Sequence, residues 1–271
     1  MSIKLYEAFC IYNLHNPVSE LSHLEKGYLR KLAILDWLYR FRYSSIPALV
    51  KVAGDSKGKT ASQIQKLLNR MEKRNEIRKF PLITGFTKYG YVLTESGFLT
   101  LQQSQPDRTF TQRVFKESHK LTASNFVHNL AIQEQIIDFI HSDKHKIGFA
   151  NEWEVRRHFK SQNFNGKTFD AICEKTLKAN YENERVVTIG IEVELSQKNT
   201  ARLRSALKTA DSMIQDGEVD YVFYLVPTAG FKRSIDRQLK SLNKSNDINN
   251  ANLFQVIVSG VLEQIIRGKR A

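Results

Sequence analysis

The 271 residues carry 41 Lys+Arg against 28 Asp+Glu, a formal net charge of +13, and 41% of them are hydrophobic. That is ample core material for one large or two ordinary domains, with a charge balance that favours a polyanionic partner. Two cysteines, Cys10 and Cys173, make neither a disulfide scaffold nor a zinc site. No apolar run approaches the ~18 residues of a membrane span, and Met1-Ser2-Ile3-Lys4 opens no secretory signal. A reduced, cytoplasmic protein without membrane insertion is the expectation.

The charge is unevenly placed. Residues 1–121 hold 20 Lys+Arg and 10 Asp+Glu, a net of +10, and 122–271 hold the other 21 and 18, a net of +3. The first half therefore reads as the part that grips a polyanion. A membrane surface would attract the same charge, but no basic helix carries the broad aromatic-apolar face that interfacial helices use. Nucleic acid is the favoured partner.

In chain order, 1–25 read as an N-terminal arm with a turn at Pro17. Apolar spacing through Leu29, Leu32, Ala33, Leu35, Trp37, Leu38 and Phe41 predicts a helix over 26–41. A second follows over 44–52, with Ser44 or Ser45 as N-cap and Pro47 in its first turn. Asp55-Ser56-Lys57-Gly58 is turn chemistry. A third helix, over 60–75, buries Ile64, Leu67, Leu68 and Met71 at i, i+3, i+4 and i+7. Its other side presents Lys59, Ser62, Gln63, Lys66, Asn69, Arg70 and Lys73. Segments 77–80 and 89–93, turning near Gly85, predict a hairpin with a basic rim at Arg78, Lys79 and Lys88. A helix over 95–103 follows.

Three helices and a hairpin in this order describe a winged helix-turn-helix over 26–103. Lys, Arg, Asn and Gln on the third helix are the types that match base edges and phosphates. A charged helix face is also what solvent requires of any surface helix; the +10 bias and the basic wing favour DNA binding.

Residues 104–121 are polar and aperiodic, as in an interdomain linker. A second domain, 122–271, opens with an apolar helix over 124–141. A strand at 146–150 is followed by strands around Phe169 and Val186, with a polar excursion between them. Next come a helix over 199–215, a strand over 219–226 stopped by Pro227, a helix over 230–242, a strand at 253–258 and a last helix at 260–267. The fold class is α+β: a winged helix followed by a mixed sheet flanked by helices.

Within that second domain lie Phe169-Asp170-Ala171-Ile172 and Ile189-Gly190-Ile191-Glu192-Val193-Glu194. Residues i and i+2 of a strand share a face, so Glu192 and Glu194 point together. Carboxylates beside a core are costly unless paired, hydrogen-bonded or bound to a cation. Asp170, Glu192 and Glu194 thus read as an oxygen cage for Mg²⁺ or Mn²⁺, with Lys198 as a nearby cation. The duller reading sets the two glutamates on the solvent face of a strand end, and Lys198 as an ordinary helix-start lysine. His128 on an apolar helix is commonly a core or boundary residue; Glu134 and Glu152 could approach the cage, but each reads first as an ordinary surface acid. A His-apolar-His metal site is disfavoured, since His141 and His145 are not spaced for one.

An Asp, then Glu-x-Glu at a strand end with a Lys just beyond, resembles the PD-(D/E)xK restriction-endonuclease-like fold. Asp170 and Glu192 match its Asp and first acid, while Glu194 stands where a Lys is usual. The order of domains, together with Ser124-Asn125-Phe126-Val127-His128-Asn129-Leu130, resembles the replication-relaxation family, and within it the relaxases of the MOBC clade. That resemblance implies metal ligation by Asp170, Glu192 and Glu194, and catalysis by these with Lys198 and His128. It further implies a strand-specific nick at a plasmid transfer origin, with a relaxosome accessory protein and a type IV coupling protein as partners. The alternative is a non-catalytic winged-helix regulator of plasmid replication or transcription with an inert nuclease-like domain.

Overall fold

The computed structural model describes residues 6–7, 22–54, 61–84, 87–110, 123–142, 148–161, 168–180, 183–196, 198–260 and 262–263. It is α+β, with eight α-helices and two sheets among these residues. The chain forms two compact units, one of residues 8–144 and the other of 1–7 with 145–271.

The first unit begins with α1 (His23–Phe41). Ser22 caps it: its hydroxyl accepts from the Glu25 amide at 3.3 Å, and Glu25 accepts from the Ser22 amide at 2.8 Å. This reciprocal box starts the helix three residues before the expected point. A short strand, β2 (Tyr43–Ser45), then leads into α2 (Ile46–Ala53), capped by Ser45. Helix α3 (Ala61–Lys73) buries Ile64, Leu67, Leu68 and Met71, the stripe its spacing predicts. Strands β3 (Ile77–Thr84) and β4 (Thr87–Leu93) pair antiparallel, and β2 adds to β4 to give the order β2-β4-β3. Helix α4 (Glu95–Ser104) follows, capped by Thr94.

Two expected boundaries move. Arg108, placed in a linker by its sequence, ion-pairs with Asp36 of α1 and lies over the rings of Tyr39 and Phe110 at 5.4 and 5.0 Å. The segment directly after α4 is thus docked on α1; residues 111–121 of the expected linker lie outside the described residues. Helix α5 (Ala123–Ser142), expected to open the second domain, packs in the first unit. Phe126 stacks on Tyr43 with centroids 4.7 Å apart. Buried Gln133 accepts from Trp37 Nε1 (2.8 Å) and Ser44 Oγ (2.6 Å) and donates to the Tyr43 carbonyl (2.9 Å). Apolar residues on most of this helix leave periodicity unable to name its partner.

In the second unit, β5 (Gly148–Asn151), β6 (Ala171–Asn180) and β7 (Asn183–Val193) are antiparallel, and β8 (Tyr221–Val226) and β9 (Phe254–Val258) continue parallel to β7. The two-residue strand β1 (Tyr6–Glu7), from the expected arm, adds to the β5 edge. The polar excursion is largely ladder: β6 and β7 pair from Ala171↔Ile191 out to Asn180↔Asn183. Helix α6 (Glu152–Ser161) is unpredicted, although Asn151-x-x-Glu154 is a reciprocal cap: Asn151 Oδ1 accepts from the Glu154 amide at 3.0 Å and Glu154 accepts from the Asn151 amide at 2.9 Å.

Helices α7 (Thr200–Gln215) and α8 (Ala229–Lys244) supply the two parallel crossovers. They cover one face of the sheet, where Leu203, Leu207, Ile235 and Leu239 pack with Ile172, Val222, Tyr224 and Val226. The expected last helix lies mostly outside the described residues.

Candidate metal centre and nucleic-acid interface

Strand register builds the acidic site. Ala171 pairs with Ile191, so the next step of the same antiparallel ladder sets Asp170 across from Glu192. On the other side, Glu192 is in parallel register with Tyr224, and Tyr224 with Val256. Residues in register across a sheet share a face, so Asp170, Glu192, Tyr224 and Val256 form one row. The preceding row is Ile172, Gly190, Val222 and Phe254. There the Phe169 ring lies against Gly190: a Cβ at position 190 would meet it at 2.7 Å. Glycine is required by this close approach, and the seated ring anchors the residue just before Asp170.

Backbone bonds hold the carboxylates at the strand ends. The Asp170 amide donates to the Ile191 carbonyl at 2.9 Å, and its Oδ2 accepts from the Val193 amide at 2.8 Å. The Glu194 amide donates to the Leu225 carbonyl at 2.9 Å, extending the parallel pairing one residue past β7. Glu192 and Glu194 are only 4% and 6% exposed, which removes the reading of a solvated strand end.

Lys198 ion-pairs with Glu194. It stands in the loop just before Asn199, whose side chain caps α7 by accepting from the Arg202 amide at 2.9 Å. Burial pushes the Lys198 ammonium down, but the hydrogen bond to Glu194 and the charges of Glu194, Glu192 and Asp170 outweigh it and hold its pKa above the ordinary lysine value. Asp170, Glu192, Glu194 and Lys198 are thus brought together.

Tyr224 belongs to the site and gave no sign of it in the sequence, where it is one residue of a buried strand. It is fully buried, and its hydroxyl has no hydrogen-bond partner among the described residues. Burial, then the charges of Glu192, Glu194 and Asp170, drive its pKa well above the usual tyrosine value, so it stays protonated and keeps its donor near neutral pH. Asp170, Glu192 and Glu194 thus bring carboxylate oxygens, the donor type hard cations take, to neighbouring strand ends, although the three do not converge within 4.8 Å of one another.

Of the other acids, Glu152 brings a carboxylate oxygen within 4.8 Å of one of Asp170's, and each has an ion-pair or hydrogen-bond partner of its own. Glu134 pairs with Lys51 at 2.5 Å within the first unit, and Glu152 with Arg156 at 2.6 Å along α6. Asp220 accepts from the Thr188 amide (2.8 Å) and from Arg185 (2.6 Å), tying the start of β8 to β7. His128 is half-buried on α5, in the first unit.

In the first unit, Ser62, Gln63, Lys66, Asn69, Arg70 and Lys73 are all exposed on α3, and Arg78 and Lys79 on β3. Lys79 Nζ sits 4.5 Å from the Tyr89 ring centroid. Lys59 lies outside the described residues, and of Lys88 only the place on β4 is described. Gln63, Lys66, Leu67, Asn69, Arg70 and Lys73 line one wall of a 620 Å³ cleft whose other wall is His23, Gly27 and Arg30 of α1. Among the described residues, no acidic side chain lines it. The α1 wall lay hidden in what the sequence presents as an arm and the start of a helix.

Compared with protein-family models, curated proteins and solved structures, the chain matches none.

Proposed function

We propose that this protein is a divalent-metal-dependent DNA endonuclease of the relaxase type, nicking one strand at a plasmid transfer origin. On this reading the first unit is a winged helix that holds the origin, and the second is a nuclease core of the restriction-endonuclease kind. The observation that carries it is the row Asp170–Glu192–Tyr224 with Glu194 and Lys198 at its edge. Buried carboxylates gathered at strand ends are expensive for a fold to keep and are suited to cation binding.

Asp170, Glu192 and Glu194 would hold Mg²⁺ or Mn²⁺ through carboxylate oxygens. Such an ion, when bound, polarises a phosphodiester and lowers the pKa of a coordinated water. The chain's own groups do the rest. Lys198, kept protonated by Glu194 and its neighbours, supplies the positive charge that the Glu at 194 displaces from its customary place, and it can balance charge on phosphoryl oxygens. The Tyr224 hydroxyl, kept protonated, can donate to an oxygen beside Glu192. The Phe169 ring, packed on Gly190, fills the inner side of the row with apolar surface. An accessory protein and a type IV coupling protein are the partners this activity would require.

Supercoiled plasmid bearing a transfer origin, incubated with Mg²⁺ or Mn²⁺, tests the proposal. Open circles that disappear in Asp170→Ala and Glu192→Ala are the expected result. Linear product would mean a double-strand cut, and undiminished nicking by either variant would remove the acids from the chemistry. The basic cleft supports a second reading, a DNA-binding regulator with an inert core. Under that reading Mn²⁺ fails to bind while DNA binding persists.

A further inference from the structure

We propose that the cleft between α1 and α3 is a cradle for a duplex phosphodiester backbone, in which His23, Gly27 and Arg30 complete a site that α3 only half forms. The inference rests on the first unit's being a nucleic-acid-binding unit.

Charge is the first ground. Lys66, Arg70 and Lys73 recur at i, i+4 and i+7 along α3, and Arg30 and His23 face them with no acidic residue in the lining among the described residues. Like charges at this helical spacing repel, and no carboxylate of a described residue lines the cleft to relieve them. A polyanion would. Two free phosphates would satisfy the charge equally, but the cleft is long enough to be walled by two turns of each helix, as a continuous backbone requires.

Arg30 is the second ground. Its Nη1 donates to Gln63 Oε1 at 3.0 Å, which holds the guanidinium across the cleft. Its Nε is buried and has no hydrogen-bond partner among the described residues. A buried N–H without an acceptor is destabilising in the free protein. The planar fork of arginine fits phosphate oxygens, and a backbone entering the cleft would meet the guanidinium that Gln63 holds in its wall.

Gly27 is the third. Glycine inside a helix is unfavourable relative to alanine, and two ordinary excuses fail. The residue is not among those with positive φ. Nor is it crowded, because a Cβ built there meets nothing within 4 Å. What its missing side chain does is leave the α1 wall of the cleft open at the level of Arg30.

The test is an anisotropy titration of the full chain with labelled duplex DNA in EDTA, across a salt series, so that metal chemistry plays no part. Gly27→Leu should raise the thermal midpoint, through better helix propensity, while weakening binding about fivefold or more near 0.15 M salt. Gain of stability with loss of binding is not the signature of a structural defect. Arg30→Ala tests the same wall without filling it, and should lower the salt slope by about 0.9 for the lost phosphate contact. Wild-type affinity and slope in both variants would overturn the cradle while leaving DNA binding by the unit intact. No duplex binding by the wild-type chain would sink the cradle together with the reading it rests on. Stronger competition by polyglutamate than by duplex would replace the phosphodiester with an acidic protein partner.

Discussion

Glu192 and Tyr224 lie in register on neighbouring parallel strands, a buried carboxylate beside a buried hydroxyl that has no hydrogen-bond partner among the described residues. A donor left unpaired in the interior costs about 1–3 kcal/mol. Tyr224→Phe deletes the donor and leaves the ring in its stack with Phe254, whose centroid is 6.5 Å away. In metal-free buffer the variant should be more stable than wild type by about 1 kcal/mol. Urea unfolding measures it, and a lower midpoint would mean that the hydroxyl is already satisfied.

Neutralising the acid tests the cation. Mn²⁺ at about a hundred times its dissociation constant should stabilise the wild type by about 2.7 kcal/mol. In Glu192→Gln the shift should vanish in a thermal melt, while duplex binding in EDTA stays at the wild-type level. Equal Mn²⁺ protection of both proteins would place the ion elsewhere.

Lys198 has a folded pKa above its ordinary value, so its ion pair is favourable while the ammonium is protonated in both states. That contribution is complete below the unfolded pKa of about 10.4 and is lost as pH rises through the folded value. The stability difference between wild type and Lys198→Met should therefore be constant through neutral pH and shrink only above about pH 10. Denaturation at stepped pH checks this; a difference that fades on acidification would assign the dependence to the carboxylates.

At Gly190 the prediction is steric. A methyl group 2.7 Å from the Phe169 ring must move it, and overpacking of this kind costs about 1–3 kcal/mol. Gly190→Ala should lose that much stability, and the double variant with Phe169→Leu should regain part of it. Additive losses would show that the two positions are uncoupled.

Gln133 serves three partners at once. Gln133→Leu would strand Trp37 Nε1, Ser44 Oγ and the Tyr43 carbonyl, and should destabilise the first unit by about 2–5 kcal/mol. A chemical-denaturation midpoint near that of the wild type would mean that water replaces the amide.

Much was legible from local pattern. The stripe through Ile64, Leu67, Leu68 and Met71 located α3 and its polar side, because helix geometry converts i, i+3, i+4 spacing into a face. Strand alternation gave the expectation that Glu192 and Glu194 point together, and both are buried, Glu194 one residue past the end of β7. Helix α6 was missed despite its Asn151–Glu154 box, since its few apolar residues gave no period to attach the cap to.

The chain by itself determined which residues are helical faces, strand ends and buried acids, all properties of neighbours a few positions apart. Tertiary structure alone decided who meets whom. Tyr224 joins Glu192 only because a helical crossover returns the chain in parallel register. Likewise, α5 belongs to the first unit because Gln133 and Phe126 find partners there, and Arg30 faces Gln63 across a cleft that exists only once two helices are packed. These are long-range pairings, and packing free energy over the whole chain selects them.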